Sequence, residues 1–142
     1  MLRIGGYINI LIAIAHIICL VSANYFFEIT GVGEDMRRSA EIHPLLPYTM
    51  TIFVAIIFFI FGLYGLSGAG KIKKLPLLKV GVFTIAAIYL IRGIVGTIVN
   101  IGFESSFQWH HLLFSACALC IGLLYLLGGL RIWKFDRHGK GE

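Results

Sequence analysis

Four uninterrupted apolar stretches, at residues 7–27, 48–66, 80–103 and 112–130, constrain this chain more than any other feature. A hydrocarbon core about 30 Å thick takes roughly 20 residues of helix to cross. Inside it every backbone N–H and C=O needs a partner within the protein, which leaves helices or a closed barrel. The runs lack the polar/apolar alternation of barrel strands, so the sequence predicts an all-α fold, an integral membrane four-helix bundle. Composition agrees: 58% of the 142 residues are hydrophobic and 13% charged, about half the charge of a soluble domain. Mean hydropathy is +0.90. A water-soluble fold is excluded.

Outside the stretches, Arg3, Lys71, Lys73, Lys74, Lys79, Arg131, Lys134, Arg137 and Lys140 fall on one side of the expected membrane, and only Arg37 and Arg38 on the other. Cytoplasmic segments are enriched in Lys and Arg, so both termini are expected in the cytoplasm. The basic loop at 67–79 and the tail at 131–142 go with them. The opposite side holds Glu28, Glu34, Asp35, Glu41 and Glu104. The net charge of +5 and pI near 9.3 therefore come from one rim. They point to membrane lipids with anionic headgroups and not to nucleic acid. Arg3 before an apolar run, with Val21-Ser22-Ala23 after it, also matches a cleaved secretory signal. The run's continuation into Tyr25, Phe26 and Phe27, with Asn9 and His16 inside it, favours a retained span.

The connections are too short for a second domain, so the chain reads as one transmembrane domain. The longest, at 28–47, contains Gly31 and Gly33, then a short helix expected over 34–42 that His43-Pro44 stops, a small cap on the outer surface. In a membrane, helices meet through small and polar side chains. Inward stripes are expected at Gly5, Asn9, Ala13, His16 and Ala23; at Thr51, Ala55, Gly62, Gly65 and Ala69; at Gly81, Tyr89, Arg92 and Gly96; and at His111, Ser115, Ala118, Gly122, Tyr125 and Gly129.

Arg92 is the sharpest candidate for function. It lies about 16 Å from the outer end of its stretch, where an arginine costs at least about 2.5–3.5 kcal/mol. No Asp or Glu occurs in any of the four stretches. A ligand-binding polar cluster of Arg92, His16, Tyr89, Asn100 and Tyr125 is one expectation. The others are a structural tie among neutral groups, a bound anion, and an acid on a partner. His16 is equally a proton carrier or a neutral hydrogen-bonding residue.

Weaker constellations follow. His43, His111, Glu41 and Glu104 at the outer rim are candidate divalent-metal ligands, although Trp109 and the rim histidines also read as an interfacial belt. Haem would require a second deep histidine facing His16. Cys117-Ala-Leu-Cys120 on the last span of a four-span protein resembles the vitamin K epoxide reductase family, in which such a pair passes electrons to a quinone. The resemblance implies a redox role for Cys117 and Cys120 with quinone as cofactor. The family's second, loop-borne cysteine pair is missing here, and apolar surroundings quiet a thiol. Buried cysteines also serve as small apolar fillers.

The segment GLYGLSGAGKIKKLPLL at 62–78 and YLIRG at 89–93 resemble a group of small four-span bacterial inner-membrane proteins with no assigned activity. That resemblance covers about a third of the chain and implies a location, not a reaction. Three classes of function remain, in this order: a non-enzymatic subunit or regulator of a membrane complex; an oligomeric transporter or channel for an anion or a proton-coupled solute, using Arg92 and His16; and a quinone- or lipid-linked enzyme. Homo-oligomerisation or an acidic membrane-protein partner would complete the first. No cofactor is required by it.

Overall fold

The structure, a computed structural model, describes residues 1–29, 31, 33–102 and 109–138, without the side chains of 23, 24, 109, 110 and 134–138. Among the described residues all regular structure is helical: α1 (Leu2–Cys19), a 3₁₀ turn (Leu20–Ser22), α2 (Ala23–Ile29), α3 (Gly33–Ile42), α4 (Leu46–Gly68), α5 (Leu78–Gly102) and α6 (Trp109–His138). Four segments are long and apolar enough to cross a membrane, Leu2–Ser22, Leu46–Gly68, Leu78–Gly102 and His111–Trp133. The protein is an all-α, multi-pass membrane chain.

The first span starts five residues before the expected 7. Gly5, expected on the inward stripe, is buried together with Gly6, and Gly5 N–H already bonds to Met1 C=O at 3.1 Å. The apolar run does not stay one helix to residue 27, because the tighter turn at Leu20–Ser22 separates α1 from α2. At the other end of the chain, α6 runs 30 residues, past the expected boundary at 130. Leaving the hydrocarbon does not end a helix, since its backbone bonds are internal.

The chain divides into two compact units, Met1–Tyr7 with Leu63–Glu142, and Ile8–Gly62. In the first, α5 and α6 pack along their length. α5 buries Val82, Ile85, Ala86, Tyr89, Gly93 and Asn100; α6 buries Ser115, Ala118, Ile121, Gly122, Tyr125, Gly128 and Gly129. Both stripes repeat at three and four residues, the pattern of a helix–helix seam. Small residues set the spacing: a Cβ on Gly93 would lie 2.5 Å from Leu119 Cγ and 3.0 Å from its backbone N, and one on Gly96 would meet Ser115 Oγ at 2.5 Å.

The first turns of α1 and the last turn of α4 join this pair. Tyr125 is fully buried, against Gly5 and Gly65, and a Cβ on Gly65 would come within 2.7 Å of Gly6 Cα. Leu2 covers Gly68 and Gly128. The α4–α5 connection is fixed at the same end. Gly70, at φ 68°, closes α4 with bonds from Gly70 N–H to Ser67 C=O (3.0 Å) and Lys71 N–H to Leu66 C=O (2.9 Å). Buried Ser67 donates to Lys73 C=O and accepts from Leu75 N–H, both at 2.9 Å. Tyr64 donates to Pro76 C=O at 3.2 Å. The loop therefore holds Lys71, Lys73 and Lys74 outward on a braced backbone.

In the second unit, α3 occupies the connection where a short helix was expected. Glu34 and Asp35 stand in its first turn, where the helix dipole favours negative charge. Arg38 bonds Glu34 one turn away at 2.7 Å. The residue before a proline avoids helical backbone, and α3 ends at Ile42, before His43-Pro44. His43 then caps the turn into α4, its Nδ1 accepting from Leu45 N–H at 3.2 Å. Asn9, Ala13, Pro47, Thr51, Ala55 and Gly62 are buried positions of the span segments in this unit.

Candidate functional site

The burial stripe of α5 runs through Val82, Ala86, Tyr89, Gly93 and Asn100. At 100° per residue Arg92 lies about 80° from its centre, and its side chain is exposed. The expected stripe of Gly81, Tyr89, Arg92 and Gly96 is thus rotated in the structure. Small apolar side chains, not the polar one, decide which face packs.

Arg92 stands 14 residues after the start of the 25-residue α5 and 10 before its end, which places it about 21 Å and about 15 Å from the two ends. Among the described residues it makes no ion pair, hydrogen bond or ring contact. Ile88, Val95 and Val99, one turn apart along the same line of α5, are 45%, 52% and 42% exposed. Ile88, Arg92, Val95 and Val99 repeat at four, three and four residues. The result is a second ridge on α5 with the spacing of a helix-packing seam, apolar apart from one guanidinium at mid-height.

The other members of the expected polar cluster fall in both units. Tyr89 and Tyr125 come together, ring centroids 6.5 Å apart, inside the first unit. Asn100 is buried on the Tyr89 face of α5, eleven residues further on and about 16 Å away. His16 belongs to the second unit, where its Nδ1 lies 2.8 Å from Ile12 C=O, one turn back on α1, and its ring tilts against Phe58 at 5.2 Å. Since the carbonyl can only accept, Nδ1–H donates to the backbone of its own helix.

Of the candidate metal ligands, Glu41 and His43 of the second unit are exposed, and His111 of the first, half-exposed on α6, accepts the Ser115 hydroxyl at its backbone carbonyl (2.9 Å). Glu104 lies outside the described residues, as do the side chains of Trp109 and His110. Among the described residues no group of three or more His, Cys, Asp or Glu is gathered in a metal-holding arrangement. Cys117 and Cys120 are free thiols, both exposed on α6, and Cys19 is half-buried. The two α6 cysteines therefore fill surface, not core.

Two features escape a reading of the sequence. Ser67 braces the basic loop, and its only trace is a small polar residue in the last turn of an apolar helix. In the second unit, Glu28 at the end of α2 forms an ion pair with Arg37 of α3. A nine-residue spacing across two glycines gives no periodic signal of that contact. Comparison of the chain with protein-family models, with curated proteins and with solved structures finds no match.

Proposed function

We propose that the protein is a non-enzymatic subunit or regulator of a membrane complex, docking through the Ile88–Arg92–Val95–Val99 ridge of α5 onto a partner span that carries an Asp or Glu. One observation carries the reading: Arg92 is exposed at mid-span on an otherwise apolar ridge. An arginine facing lipid at that depth is unfavourable by at least about 2.5–3.5 kcal/mol, and a facing carboxylate removes that cost through a charge-assisted, bidentate contact. A second copy of this chain does not supply it, because the four spans contain no Asp or Glu. The partner is therefore a different protein.

The end of the first unit where Leu2 meets Gly68 and Gly128 carries Arg3, Lys71, Lys73, Lys74, Lys79 and Arg131, all exposed. This supports a cytoplasmic position for that end and for both termini, in a bacterial inner membrane, with the lysines against anionic headgroups. The test is a photoreactive residue at Ile88, used in the native membrane. An adduct to a different protein with an acidic residue in a span, abolished by Arg92→Glu and retained in part by Arg92→Lys, is expected. Adducts to lipid or to the chain itself alone would overturn the proposal.

A further inference from the structure

The cap of the second unit forms a half-open cavity of about 500 Å³, within the range of small-ligand sites. Its apolar lining is Phe27, Met36, Pro47 and Tyr48, and Glu28 and Arg37 line it as well. Phe27 and Pro47 are buried. Gly33 makes room for the acid: a Cβ there would lie 2.9 Å from the Glu28 carboxyl. Glu28 and Arg37 are paired with each other, at 59% and 65% side-chain exposure. An exposed pair of this kind is weakly held against water, so a ligand presenting both charges exchanges with it at little cost. Arg37 would take an anionic oxygen group and Glu28 a cationic donor, with apolar surface behind them.

A second cavity of the same unit, about 340 Å³, is a wholly apolar groove between α1 and α4, with Ala13 and Ala55 as its floor and Ile14, Ile17, Ile56 and Phe59 as its walls. The two are linked by one face of α4. Tyr48, Ile52, Ala55 and Phe59 repeat at four, three and four residues, and Tyr48 belongs to the cap cavity while Ala55 and Phe59 belong to the groove. Along α4 the groove begins about 10 Å from Tyr48 and ends about 16 Å from it. A dipolar pocket beside the end of a span, followed in the span by an apolar trough, has the polarity sequence of one phospholipid.

We infer that the second unit holds a zwitterionic phospholipid with a primary ammonium, its phosphate on Arg37, its ammonium on Glu28 and an acyl chain in the α1–α4 groove. This site is separate from the α5 ridge and does not depend on the subunit reading. A trimethylated ammonium has no N–H to give Glu28, and an anionic headgroup places no cation there, so phosphatidylethanolamine is favoured over phosphatidylcholine and phosphatidylglycerol.

The test is native mass spectrometry of the full chain released from nanodiscs containing equal amounts of these three lipids. One phosphatidylethanolamine per chain, retained about tenfold over either competitor, is expected. Glu28→Gln and Arg37→Gln, both at exposed positions, should bring that ratio to parity with helicity unchanged, and Ile17→Trp should reduce retention by filling the groove. Soluble phosphoethanolamine, lacking the chain, should not compete. Equal retention of the three lipids by the wild type, a preference that survives Glu28→Gln and Arg37→Gln, or binding of soluble phosphoethanolamine as tight as that of the lipid would overturn the assignment.

Discussion

Arg92 and Leu77 show how single residues are held against their own preferences. Arg92 is exposed in the middle of α5, so replacing it removes an unfavourable charge without opening a cavity. Arg92→Leu is expected to leave the isolated chain's melting temperature in detergent unchanged or higher, because the change breaks no bond among the described residues and completes an apolar ridge. A loss of folding would instead show that the guanidinium ties this chain's own helices. Leu77 sits at φ 51° in the α4–α5 connection, a left-handed conformation that costs a branched residue about 1–2 kcal/mol. Leu77→Asn is expected to raise stability by about 1 kcal/mol, read by thermal unfolding, since asparagine tolerates that backbone.

The same two residues mark the limit of what the sequence reveals. Gly5, Ala13, Ala55, Gly65, Ser115, Ala118, Gly122 and Tyr125 lie on the faces that small-residue spacing assigns them, because close approach selects for small side chains whatever the partner. Arg92 breaks the rule: a polar residue is expected inward only when its partner is in the same chain. Leu77 gives no sign in its chemistry of a left-handed backbone, which the bracing of its neighbour by Tyr64 accompanies.

At the scale of elements, the α5–α6 seam depends on glycine. Gly93→Leu would drive side-chain atoms into Leu119 and its backbone N, and overpacking of this kind costs typically about 1–3 kcal/mol. The expected outcome is a lower melting temperature with α5 and α6 no longer cross-linkable through cysteines placed at positions 96 and 115. The α4–α5 loop depends on a hydroxyl. Ser67→Ala leaves Lys73 C=O and Leu75 N–H without the partner they share, a loss of about 0.5–1.5 kcal/mol for each part-buried bond. Trypsin should then cut after Lys71, Lys73 or Lys74 several-fold faster than in the wild type. Helix positions were legible in the sequence because hydropathy and length determine them. Helix ends were less so: α6 continues beyond its apolar stretch, and the turn at Leu20–Ser22 interrupts a run that composition shows as unbroken.

For the whole molecule, a charge asymmetry accompanies the docking ridge. Basic residues crowd one end of the first unit, and the α3 cap of the second carries Glu34, Asp35 and Glu41. With a membrane-impermeant maleimide on intact cells, Ser39→Cys should be labelled and Lys73→Cys should not, as both-termini-inside orientation requires. The central claim is that the ridge around Arg92 meets an acidic span of another protein. Native mass spectrometry of the wild type and of Arg92→Leu, each extracted gently from its own membrane, tests it most directly. The account predicts a complex of the wild-type chain with a different protein bearing an intramembrane Asp or Glu, and an Arg92→Leu chain that is folded and alone. A wild type found only alone or with copies of itself, or a hetero-complex that persists in Arg92→Leu, would contradict it.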